Sequence, residues 1–223
     1  MKTYWYLTRA SGAVALILLT LALVVGVAAI GRVATRRWPR FAVDGLHRTS
    51  SMLALAFLAL HIVTAVLDSF APISLVDAVV PFAGTYRPLW LGLGATAFDL
   101  LLAVAVTSAL RVRLGHRTWR AVHWLAYAAW PVAIVHGLGT GSDVRQGWMV
   151  AVYAGCAGAV AITVMIRLGL GWPDHLRWRL AGVGALAGLG LGMALWLPHG
   201  PLGPHWARRA GTPAKLLAPA RRT

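Results

Sequence analysis

Four histidines in two near-equal spacings are the residues of this chain most able to do chemistry. His47 and His61 lie 14 positions apart in one apolar stretch, and His123 and His136 lie 13 apart in another. An ionisable side chain is costly inside hydrocarbon and is retained there for a role. Neutral imidazole is a common metal ligand and a standard axial ligand of haem iron. A single histidine near a helix end is ordinarily a hydrogen-bonded or interfacial residue, but four at matched depths point to ligation. Thirteen or fourteen residues of helix separate two levels by roughly 20 Å. That is too far for a two-metal site, and it suits two haems held between two helices, one toward each side of a membrane.

The elements that must position these histidines are membrane helices. Hydrophobic residues make up 59% of the chain and charged residues 12%, a balance that indicates a membrane protein. Twenty-one Lys and Arg stand against six acidic residues. The basic residues sit in short loops between apolar runs, so they read as topology signals and not as a nucleic-acid surface. The single cysteine, Cys156, permits no internal disulfide, and no Cys-x-x-Cys-His site for covalent haem is present. Most of the 11 tryptophans flank the apolar runs, as an interfacial aromatic belt does.

Six segments have the roughly 20 residues a span needs: Ala10–Ile30, Leu46–Leu67, Leu89–Leu110, Thr118–Leu138, Trp148–Ile166 and Leu180–Leu197. The expected fold is therefore all-α, a polytopic bundle of six transmembrane helices over residues 1–200, followed by a basic, disordered tail over 201–223. The first segment reads as a retained helix and not a signal peptide, because its apolar run is long and positive charge follows it. Loop one carries Arg32, Arg36, Arg37 and Arg40. Loop three carries Arg111, Arg113 and Arg117, and loop five carries Arg167, Arg177 and Arg179. The positive-inside rule places these three loops in the cytoplasm and both termini outside, consistent with a bacterial cytoplasmic membrane. Helices two and four then run parallel, with His47 and His123 near the inner side and His61 and His136 near the outer side.

On straight helices, 14 positions return His61 to within about 40° of His47, whereas 13 leave His136 about 140° from His123. Pro131 lies between the latter two, and a distortion there is expected to turn both imidazoles toward helix two. Arg48 and Arg120 stand beside the inner histidines and are candidates to pair with haem propionates. Asp99 is the one carboxylate deep in a span, where a polar partner, a proton or a quinone is the expected company. Trp124 and Trp130 lie between the histidine levels and face either porphyrin or lipid. His116, His175, His199 and His205 are expected to meet water or headgroups. Gly184, Gly188 and Gly192 have the spacing of a close helix contact.

The pairs H-x13-H and H-x12-H on alternate helices, with the stretches RPLWLGLG, TSALRVRLGHRTWRAVHWLAY and HGLGTG, resemble the ferric reductase-like transmembrane domain. The likeness covers roughly residues 45–170. It implies bis-histidine b-type haems on His47, His61, His123 and His136, and electron transfer across the bilayer. Two haems are implied, with one as the alternative count. Unlike the oxidases of that family, this sequence has no G-x-G-x-x-G dinucleotide fingerprint after a strand-like run. The expected donor is thus a separate cytoplasmic flavin reductase or membrane quinol. The expected acceptor is an extracytoplasmic redox protein or a metal chelate. A haem-free scaffold or transporter, and a quinol or ascorbate oxidoreductase of the cytochrome b561 kind, are the competing readings.

Overall fold

The computed structural model describes residues 2–30, 39–170 and 174–217, and the described residues contain no strand. Helix α1 spans Lys2–Ile30, α2 Arg40–Leu67, α3 Leu75–Val79, α4 Pro88–Ala109, α5 Arg111–Leu114 and α6 His116–His123. Helices α7 (Leu125–Thr140), α8 (Gly147–Gly169), α9 (Leu176–His199), α10 (Trp206–Arg209) and α11 (Ala214–Leu217) complete the order. Six helical stretches are long and apolar enough to cross a membrane, one of them formed by α6 and α7 together. The chain is an integral membrane protein with an all-α fold.

The helix starts follow local chemistry. Pro88 occupies the first turn of α4, where a missing N–H costs nothing. Ser74 and Asp77 form a reciprocal capping box on the short α3. Helices α1 and α2 begin six to eight residues earlier than the apolar runs, because the polar turns Lys2–Arg9 and Arg40–Gly45 are helical too.

Two compact units share the chain. The first comprises Met1–Gly12, Leu58–Val144 and His205–Thr223. Its core is the contact of α4 with α7, where Ala95, Ala97, Ala129, Ile134 and Leu138 are buried. Gly139 is buried against Trp90, and a Cβ there would drive into the indole, reaching 2.7 Å from its Cγ. Gly139→Ala is therefore expected to destabilise the protein by about 1–3 kcal/mol, the usual cost of overpacking. Thermal unfolding in detergent checks this.

The second unit comprises Ala13–Phe57 and Arg145–Pro204. Leu16, Ala22, Val25 and Val27 of α1 and Tyr153, Cys156 and Val160 of α8 are buried. Arg179 of α9 donates to the carbonyls of Leu168 and Leu170, covering the end of α8. Helix α9 buries no side chain, and Leu189, Leu191 and Leu195 are exposed, which suits contact with lipid.

Three expectations change. The fourth span is interrupted at Trp124, one residue after His123, and Pro131 lies inside α7. The Tyr127 N–H turns to the Trp124 carbonyl, at 3.1 Å. Proline obstructs the carbonyl four residues before it, here that of Tyr127, whereas the interruption at Trp124 lies about two turns upstream of Pro131. The Gly184, Gly188 and Gly192 stripe has nothing within 4 Å of where a Cβ would be, among the described residues. Finally, residues 201–217 of the segment expected to be disordered form turns and the helices α10 and α11. Bonds from Arg87 to Gly211 and Thr212 and from Trp206 to Gly139 hold the part from His205 onward; residues 218–223 lie outside the described ones.

Candidate functional site

Three of the four histidines sit in the same local arrangement. The His61 Nδ1–H donates to the Thr8 carbonyl at 2.7 Å. The His47 Nδ1–H donates to the Ala22 carbonyl at 2.8 Å, and that of His136 to the Trp90 carbonyl at 2.8 Å. Four residues beyond each accepting carbonyl, on the same helix, is a glycine: Gly12, Gly26 and Gly94. A Cβ added to these glycines would stand 2.8 Å from His61 Nδ1, 3.3 Å from His47 Nδ1 and 2.5 Å from His136 Nδ1. Each ring thus lies over a helix face where no side chain intervenes.

This arrangement decides the tautomer. A carbonyl only accepts, so Nδ1 carries the proton and Nε2 keeps its lone pair. Fixing one ring nitrogen by a backbone acceptor is how proteins orient a metal-binding imidazole. The isolated sequence gave no reason to name Thr8, Ala22 or Trp90, because a carbonyl belongs to every residue type. The glycines did carry a signal. Gly12 and Gly26 are 14 positions apart on α1, as His47 and His61 are on α2, in the reverse order that antiparallel neighbours require.

His61 and His136 come together within the first unit. Their ring centroids are 6.4 Å apart and the rings are nearly perpendicular, at 84°. Two imidazoles bound through nitrogen at about 2.0 Å to opposite sides of one metal atom have centroids about 6.3 Å apart. Tautomer and separation both fit a shared iron, so these residues suit a bis-imidazole haem. His47 belongs to the second unit and His123 to the first. The His123 ring lies 5.1 Å from that of Trp119.

The remaining candidates separate by exposure. Arg48 and Arg120 are exposed, as are His116, His175, His199 and His205. Trp124 is 63% exposed, whereas Trp130 is buried. Asp99 lies half-buried at the middle of α4, without a hydrogen bond or ion pair among the described residues.

Around the first-unit pair is a polar rim that sequence reasoning passed over. Arg9 is ion-paired with Asp143, and its guanidinium lies 3.8 Å from the Trp5 ring centroid. The Thr8 and Thr64 hydroxyls bond at 2.9 Å beside His61. Arg87, the first residue of the RPLWLGLG stretch, is 6% exposed. Its Nη1 donates to the carbonyls of Gly139 and Thr140, at the end of the helix that carries His136.

Six apolar helices, with imidazoles oriented by backbone carbonyls, define an integral membrane protein. The family model described as ferric reductase like transmembrane component matches residues 11–134, more than half the chain, and the chain belongs to that family. Searches of curated proteins and of solved structures gave no match. The matched region holds His47, His61 and His123 and stops two residues short of His136. The family generally binds haem and interacts with flavin, and membership points to electron transfer across the membrane.

Proposed function

We propose that this protein carries single electrons across a bacterial cytoplasmic membrane through two bis-histidine b-type haems. His61 and His136 would hold the iron of the outer haem, and His47 and His123 that of the inner haem. The observation that carries the reading is the His61–His136 pair: perpendicular rings 6.4 Å apart, inside a membrane helix bundle. The inner assignment rests on sequence spacing and on His47 sharing the carbonyl-and-glycine setting of His61. Bound haem iron supplies a one-electron couple whose potential follows its ligands and surroundings.

The chain's own residues do the rest. The carbonyls of Thr8, Ala22 and Trp90 hold three imidazoles in the Nε2-ligating tautomer, and the glycines admit the rings against the helix backbone. The basic loops Arg111–Arg120 and Arg167–Arg179 mark the cytoplasmic side, leaving both termini outside. The redox unit is built on the family-matched residues 11–134, with His136 two residues beyond. A cytoplasmic flavin reductase or quinol is the donor, and an extracytoplasmic redox protein or metal chelate is the acceptor. The exposed Arg48 and Arg120 are positioned as counter-charges at the inner level.

Electron paramagnetic resonance of the oxidised protein tests the outer pair. Perpendicular imidazole planes leave two iron d orbitals nearly degenerate, so the expected signal is low-spin with one very large g value. A high-spin signal alone, or only the rhombic low-spin signal of parallel planes, is the contrary result.

A further inference from the structure

Arg87 is the least exposed charged residue that the structure describes, and its backbone is left-handed, at φ 43° and ψ 60°. A non-glycine residue in that region is uncommon, and the surroundings must hold it there. They do so from several directions. Its N–H donates to the Gly211 carbonyl at 3.1 Å, and its Nε to the Thr212 hydroxyl at 2.9 Å. Nη1 reaches the Gly139 and Thr140 carbonyls at 3.1 and 2.9 Å. The Trp206 indole N–H donates to the same Gly139 carbonyl at 3.1 Å, and its ring packs on Trp90 with centroids 5.1 Å apart. Trp90 is the residue whose carbonyl holds His136. The segment from His205 to Thr212, Arg87 and the end of α7 are therefore one clasp.

Among the described residues every acceptor of Arg87 is neutral. A buried charge needs such partners, and the C-terminal carbonyls of a helix are favourable ones. Dipoles stabilise the cation without cancelling it. Gly139 and Thr140 lie three and four residues beyond His136, about one turn. Thr140 also bonds back to the His136 carbonyl at 2.8 Å. An unscreened positive charge at that range favours an added electron. Arg48 and Arg120, by contrast, are exposed, where solvent and salt screen them.

We propose that Arg87 is a positioning residue of the outer centre: it fixes the end of α7 behind His136, and its uncompensated charge makes that centre easier to reduce. This rests on His61 and His136 being haem ligands. The bias draws electrons outward, and the C-terminal segment sustains it by keeping Arg87 out of water.

Potentiometric titration of the visible spectrum tests the idea, taking the outer component as the one lost in His136→Ala. Arg87→Gln, which keeps hydrogen-bonding capacity and removes charge, should shift the outer midpoint to more negative potential and leave the other component in place. Arg87→Lys should restore most of the shift. Thr212→Asp sets a carboxylate against the intact Arg87 and should reproduce the negative shift without removing the clasp. Trp206→Phe deletes one clasp bond and no charge, so it should lower thermal stability while leaving the midpoint unchanged. Equal shifts in Arg87→Gln and Arg87→Lys, or an unmoved midpoint in Thr212→Asp, would overturn the electrostatic role. Retention of full haem in His136→Ala overturns the ligand assignment itself and the Arg87 role with it, a result distinct from an unmoved midpoint.

Discussion

His136→Ala is expected to lower the haem content of the purified protein by about half, from two per chain to one, and to abolish electron delivery to the outer side. Alanine offers no lone pair, and its methyl group cannot bridge the space to His61. The loss also leaves the Trp90 carbonyl without the imidazole N–H that it accepts at 2.8 Å. His61→Ala should have the same consequence from the opposite side, since the two ring centroids lie 6.4 Å apart. His116→Ala should keep full haem content, because that residue is exposed at the very start of the interrupted span. Haem determination and the visible spectrum of each variant provide the check. Full haem content in both His61→Ala and His136→Ala would remove this pair from the site.

The second large effect is a graded one at the glycines beneath the rings. Alanine in place of helical glycine gains up to about 1 kcal/mol of helix propensity, while overpacking a tight contact costs about 1–3 kcal/mol. Which wins depends on the room above each position. At Gly94 the new Cβ would lie 2.5 Å from His136 Nδ1, and the ring cannot retreat without breaking its bond to Trp90. At Gly12 the corresponding distance to His61 is 2.8 Å, and at Gly26 the distance to His47 is 3.3 Å. Gly94→Ala should therefore lose most stability and most haem, Gly12→Ala less, and Gly26→Ala should be near neutral. Thermal midpoints with haem-to-protein ratios test the order. A flat series would show that the rings do not depend on these faces.

The large features were legible because they carry strong physical penalties. Uninterrupted apolar runs admit few alternatives, so the expected ends at Ile30 and Leu67 coincide with those of α1 and α2. Their starts were placed late because hydropathy registers only the hydrocarbon portion, whereas Arg40–Gly45 extends the same helix through polar residues. The histidine spacing was legible for the complementary reason, since imidazoles are rare in such runs. What holds the imidazoles was not, because carbonyl acceptors carry no sequence identity and Arg87 reads as any loop cation until its acceptors are seen. The break at Trp124 was hidden behind Pro131, the more conspicuous breaker. The C-terminal segment has a linker-like composition, and only Trp206 and Thr212, through their bonds to Gly139 and Arg87, show it to be part of the clasp.

Two b-type haems held by oriented histidines at two levels would leave a distinct spectroscopic signature. The most direct measurement is a redox titration of the reduced-minus-oxidised visible spectrum of the wild-type protein, purified after expression with ample haem, alongside a haem-to-protein ratio. The expected result is a low-spin b-type spectrum, about two haems per chain, and two titrating components. A purified, folded protein with no Soret band would contradict it.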